Sequence, residues 1–186
     1  MSINPLFQMR FSKMKFRTAL KIALPVLLTA ISGSAFAQSS ASVTTTGSAT
    51  IIQPITLTQG TGLAFGTIVR PGTGSGTVTI DPATGARTVA SGVVGLASTT
   101  SRGVYTVNGE GGSTFSIGIP ATFTLAGPSA STIAVTLTPT AATGTLSNAL
   151  GTAGTASFGV GGNFSLSSTT VTGAYTGTYN VTVAYN

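Results

Sequence analysis

An all-β fold is predicted by this 186-residue sequence: a single antiparallel β-sandwich following a cleavable signal peptide. Three observations lead there. Runs of alternating apolar and small polar residues recur from Ser42 almost to the end of the chain. Clusters of Gly, Pro, Asn and Asp separate them, as in a sandwich of short strands. No window shows an N-cap followed by an apolar stripe at helical spacing, so essentially no helix is expected.

The leader comes first. Arg10, Lys13, Lys15, Arg17 and Lys21 precede an apolar run from Ile22 to Gly33, and Ala35-Phe36-Ala37 follows. A basic stretch, a short apolar core and an A-x-A site are the marks of a secretory signal, and the run is shorter than the roughly 20 apolar residues a membrane-spanning helix needs. Cleavage between Ala37 and Gln38 assigns residues 1–37 to the signal peptide and 38–186 to one sandwich domain. Translation from Met14 would shorten the leader without changing this boundary. The export expected places the protein in the periplasm, on the outer surface or outside a bacterial cell. The formal charge of +6 belongs mostly to the leader, because Arg70, Arg87, Arg102, Asp81 and Glu110 are the only charged side chains beyond it.

The strands follow in order. The first is Ser42–Ile51, with Val43, Thr45, Gly47, Ala49 and Ile51 on one face. Ile55–Leu57, Leu63–Val69 and Gly76–Ile80 come next, the last ending in the turn residues Asp81–Gly85. Gly92–Ala97, Arg102–Asn108, Ser113–Ile119, Phe123–Ala126 and Thr132–Pro139 continue the series. Asn108-Gly109 is expected to turn a hairpin, which puts Glu110 at its tip. Thr155–Ser165 and Gly173–Tyr185 are the two long closing strands. In the last, Tyr175, Gly177, Tyr179, Val181, Val183 and Tyr185 alternate with small residues, so that regular pairing is expected as far as Tyr185.

The residue inventory removes most chemistry. With no His and no Cys, Ser-His-Asp and Cys-His triads, the common zinc sites and disulfides are all excluded. Asp81 and Glu110 would have to be any pair of catalytic carboxyls, and both positions read as turns. The Gly-rich Pro71–Thr77 loop lacks the Lys of a phosphate loop. Three scattered arginines make no nucleic-acid footprint, and no carboxylate cluster suits calcium. The expectation is a protein without catalytic residues, cofactor or metal. Its sparsely charged surface is poorly defended against self-association.

Two stretches carry a family resemblance. Ile51, Pro54 and Ile55, then Leu63, Phe65, Gly66 and Ile68, follow the I-x-x-P-I and L-x-F-G-x-I pattern of the bacterial secreted family known as domain of unknown function 4402. Gly111–Pro120, Phe158–Ser168 and Gly173–Asn186 complete the resemblance. That family is similar in layout to chaperone–usher pilin subunits, including the archaic spore-coat-U-like group, whose last strand often carries a penultimate Tyr and a Gly at the positions of Tyr185 and Gly173. The resemblance implies an incomplete immunoglobulin-like sandwich that takes its missing strand from a periplasmic chaperone and then from a neighbouring subunit by β-strand addition. Many such pilins carry a disulfide, and this chain has no Cys.

On this reading Gly173, Tyr175, Tyr179, Val181, Val183 and Tyr185 form the pairing strand for a chaperone or a subunit. Val43, Thr45, Gly47, Ala49 and Ile51 form the donor strand. The alternative is a self-complete monomeric sandwich that binds carbohydrate or another surface ligand, in which the alternating residues are ordinary core.

Overall fold

The structure is a computed structural model that describes residues 40–186. The expected cleavage site at Ala35, Ala37 and Gln38 lies outside the described residues. The chain divides into two units, Met1–Thr46 and Gly47–Asn186. Of the first, Ser40–Thr46 is described, exposed and outside any strand.

The second unit is an all-β sandwich. Its strands are β1 (Thr56–Thr61), β2 (Ile68–Val69), β3 (Ser75–Ile80), β4 (Arg87–Ala90), β5 (Val94–Gly95), β6 (Gly103–Glu110), β7 (Thr114–Gly118), β8 (Thr122–Ala126), β9 (Thr132–Pro139), β10 (Thr143–Thr145), β11 (Ala153–Ser167) and β12 (Thr182–Tyr185). The helical content among the described residues is one 3₁₀ turn at Pro128–Ala130. All strand pairs are antiparallel.

The long β11 organises the larger, seven-stranded sheet. Its first half pairs with β6, which pairs with the edge strand β1; its second half pairs with β3, which pairs with β4; β9 and then β8 extend the opposite edge. Where β11 changes partner, Gly159 and Gly161 face the β3–β4 turn. A Cβ on either would lie 2.1–2.2 Å from the carbonyl oxygens of Pro82 or Ile80, so only glycine lets the turn lie there. The smaller sheet runs β10–β7–β12, and β2 pairs with β5.

Alternation then separates core from solvent. Even-numbered Val78, Ile80, Phe164 and Leu166 and odd-numbered Ile133, Val135 and Leu137 point inward. The residues between them form a polar row across the outer face, Thr122–Thr136–Asn163–Thr79–Thr88, one residue from each of five adjacent strands.

The core has two parts. Under β6 and the first half of β11, Tyr105, Val107, Phe158 and Val160 pack against Phe115 of β7 and Leu146, the residue after β10. Under β3, β9 and the second half of β11, Val78, Ile80, Val135 and Phe164 pack against Phe65 and Val93, which lie outside any strand.

Several expected strands are shorter than the pattern implies. Residues 47–51 of the expected Ser42–Ile51 strand are exposed and belong to no strand: Val43, of the first unit, is 87% exposed and Ile51 93%. Alternating small residues bury too little surface to hold a strand that has no partner. Leu63–Val69 is an arch with strand character at Ile68–Val69, plus one bridge between Ala64 and Ser101. Gly92–Ala97 contracts to Val94–Gly95. Gly173–Tyr185 is a strand only over Thr182–Tyr185, with one bridge from Thr176 to Ala126. Asn108 and Gly109 lie inside β6, paired with Thr155 and Gly154, and the hairpin turns at Gly111-Gly112 instead.

The Asp81–Gly85 turn forms as expected. The Asp81 carboxylate accepts from the N–H groups of Ala83 (2.9 Å) and Thr84 (2.7 Å), and Gly85 takes φ +77°.

Candidate functional site

Phe65, Gly66 and Ile68 stand where the chain arches over the second part of the core. Gly66 has φ +72°, and a Cβ there would lie 2.8 Å from Nη1 of Arg87. That guanidinium explains the arch. Arg87 donates to the carbonyls of Phe65 (2.9 Å), Thr67 (3.2 Å) and Leu96 (2.6 Å), tying an irregular segment to β4 in place of a ladder. Each backbone carbonyl that leaves a sheet needs such a donor, and a fixed, permanently charged fork supplies several.

The last part of the chain faces this arch. Between Val171 and Val181, the backbone–backbone hydrogen bonds among the described residues are the reciprocal pair of Thr176 and Ala126, 2.8 and 3.0 Å. Side chains hold the rest. Tyr175 donates to the Val171 carbonyl (2.8 Å) and shares a hydrogen bond with Ser131 Oγ (2.9 Å). Gly173 lies against Pro128, where a Cβ would sit 2.2 Å from Cγ. Tyr179 takes a hydrogen bond from the Tyr105 hydroxyl at 3.1 Å, and its ring lies 4.9 Å from that of Phe123. Burial, then the bond to Tyr105, raises the Tyr179 pKa well above the usual phenol range, so the hydroxyl stays protonated.

Between arch and terminal segment lies an open groove of about 750 Å³. Gly62–Ile68 forms one wall and Thr170–Tyr179 the other. Its floor is apolar, with Phe123, Leu125, Ile133, Phe164 and Leu166, and Phe65 meets Phe164 edge-on at 4.8 Å. Chemically, this is a trough of hydrocarbon beside a length of backbone with spare donors and acceptors. Among the residues that line it the charged one is Arg70, which donates to the Thr170 carbonyl.

The residues expected to form one pairing strand are divided. Gly173, Tyr175 and Tyr179 line the groove. Val181, Val183 and Tyr185 pack into the first part of the core, with Val183 and Tyr185 in register with Ile117 and Phe115 of β7. The opposite wall was carried in the sequence by Leu63-x-Phe65-Gly66-x-Ile68, a pattern that reads as a plain strand until the conformation of Gly66 is known.

The carboxylates stand apart in role. Asp81 caps its own turn; Thr84, through backbone and then side-chain hydrogen bonds, holds its pKa below the usual carboxylate value. Glu110 is not at an open hairpin tip: it is 2% exposed and accepts from the N–H groups of Gln53 (3.1 Å) and Gly151. No group of three or more His, Cys, Asp or Glu suited to a metal occurs among the described residues.

Residues 55–185, which include both groove walls, match the domain of unknown function DUF4402. The chain belongs to the DUF4402 family. No curated protein and no solved structure matches it. The matched DUF4402 region begins after Pro54, so the exposed segment with Ala49 and Ile51 precedes it.

Proposed function

We propose that this DUF4402 chain is a non-enzymatic exported subunit of a fimbria-like surface assembly, joined copy to copy by β-strand addition. The observation that carries the reading is the groove: apolar along its floor and flanked by a Val171–Val181 backbone that pairs only at Thr176 among the described residues. An extended strand laid there meets main-chain groups for affinity and apolar sites for alternate side chains. The same chain carries a segment with that alternation, Val43, Thr45, Gly47, Ala49 and Ile51, and it is exposed and outside any strand. A periplasmic chaperone would fill the groove first and an usher would exchange it for the neighbour's segment.

A second reading rests on the size of the groove. About 750 Å³ lies within the roughly 300–1,000 Å³ range of small-ligand pockets, so a self-complete monomer binding a carbohydrate or another surface ligand fits the same cavity.

Deletion of Ser42–Gly47 separates the two. Strand addition predicts that the shortened protein folds when given a peptide of residues 42–52, yet forms no polymer, while the intact chain polymerises. An intact chain that stays a monomer at high concentration, with a deleted form that simply unfolds, rules strand addition out.

A further inference from the structure

Gln53 is held at both ends of its backbone unit. Its N–H donates to Oε2 of Glu110 at 3.1 Å, and its carbonyl accepts from the Tyr185 hydroxyl at 2.9 Å. The same hydroxyl accepts from the Glu110 N–H at 2.7 Å, and the other carboxylate oxygen of Glu110 is held by the Gly151 N–H. One buried carboxylate and one phenol, on the adjacent elements β6 and β12, thus grip a single point on the chain just outside the strands. The seat is reserved for them: a Cβ on Gly109 would lie 2.2 Å from the Tyr185 hydroxyl. Buried charges are rare unless paired or well hydrogen-bonded, and Glu110 is the buried charged residue among those described.

Immediately before this point the chain changes character. Gly47–Ile52 is exposed throughout. Immediately after it, Pro54 fixes its own φ and holds Gln53 in the extended region, and β1 begins at Thr56 as an edge strand. The open edge of β1 is the obvious place for Gly47–Ile52 to go. A reversal of the chain around Gln53–Ile55 would lay the segment along β1, and the end of β1 leads into the groove wall at Gln59 and Gly62. Such a reversal must reorient both peptide groups of Gln53. Both are already bonded, the N–H to Glu110 and the carbonyl to Tyr185.

We propose that Glu110 and Tyr185 form a backbone clamp that keeps Gly47–Ile52 from folding back along its own β1, and so reserves the segment for a second copy of the chain. This rests on the strand-addition reading above and supplies its direction: the clamp makes donation between copies faster than closure within one. Tyr185 and Glu110 are positioning residues here, acting through Gln53 and not through the groove.

The test uses protein recovered from cells expressing the full chain, compared with Tyr185→Phe, which keeps the ring and removes the grip. Two quantities are read: amide exchange of residues 47–53 in freshly isolated monomer, and the rate of polymer formation. The clamp predicts unprotected amides at Gly47–Ile52 in the unaltered monomer, protection of those amides in Tyr185→Phe, and polymerisation slowed about tenfold, the worth of one good hydrogen bond. A variant that merely loses stability would show the reverse, with faster exchange everywhere. Should Tyr185→Phe fail to fold, Glu110→Gln weakens the grip on the Gln53 N–H and is read in the same way. Unchanged polymerisation with unprotected arm amides in a folded variant overturns the clamp and leaves strand addition standing. An unaltered chain that never polymerises overturns both.

Discussion

The two parts of the core are closed by different means. Phe115 and Leu146, near 1–2% exposed, sit beneath three paired strands of the small sheet. Phe65 and Phe164, at 9% and 6%, sit beneath an arch and a terminal segment that face each other across a groove. The composition of the two is alike: aromatic rings flanked by Val, Ile and Leu. What differs is the backbone above them. Over the first part it satisfies itself through ladders; over the second, Arg87 and Tyr175 supply bonds that a neighbouring strand would otherwise make. Apolar pattern therefore selects where a core lies, while the lid depends on whether a partner strand is at hand.

The sharpest way to break this comparison is to remove one ring from each part. Phe115→Ala should cost about 3–5 kcal/mol, a large share of the roughly 5–15 kcal/mol that holds a domain together. Phe164→Ala should cost less, because the cavity opens onto the groove and its neighbours can settle into it. Urea unfolding of the two variants measures the difference, and equal losses would mean that both lids are equally tight.

Filling the groove comes next. A peptide of residues 42–52 at a hundred times its dissociation constant should stabilise the Ser42–Gly47 deletion by about 2.7 kcal/mol, seen as a rise in Tm. A scrambled peptide with the same effect would show that hydrophobicity alone suffices. The arch is tested by Arg87→Ala, which removes donors from three carbonyls and should cost about 1.5–3 kcal/mol, with faster amide exchange at Leu96, whose N–H bonds the Thr67 carbonyl at 3.0 Å. If exchange rises equally at Leu137, in the ladder region, the arch is not an independent lid.

The smallest effect is expected at the exposed turn. The Asp81 pKa is lowered on folding from an ordinary value of 3.8, so its contribution is present above that value and is lost as pH falls below it through the folded pKa. Asp81→Asn should flatten the acid limb of the stability curve slightly, with the neutral region shifted by a small constant amount.

The sequence showed much of this and hid a definable remainder. Thr132–Pro139 alternates strictly and has partners on both edges, so pattern and strand coincide. Gly173–Tyr185 alternates as well, but only Thr182–Tyr185 finds β7, because period two reports which face is buried and not which edge is paired. The arch at Leu63–Val69 was hidden by the left-handed conformation of Gly66, which is indistinguishable in sequence from a glycine in a strand. β4 carries Arg87, whose carbonyl partners are distant in sequence, and β10 is only Thr143-Gly144-Thr145. Glu110 was read as a turn residue since its neighbours are glycines. Those glycines admit Tyr185 and the Gly151 segment to a buried carboxylate, a relation between residues far apart in the chain.

Water over the large sheet meets the row Thr122–Thr136–Asn163–Thr79–Thr88, hydroxyls and one amide, while Arg70, Arg87 and Arg102 are each turned onto backbone carbonyls. Neutral donors and acceptors of this kind are not titrated by acid and carry no charge of their own for dissolved ions to screen. The hydration of that face is therefore indifferent to ionic strength. Such a face keeps much the same wetting in fresh water and in brine, where a charged one would gather or lose counter-ions.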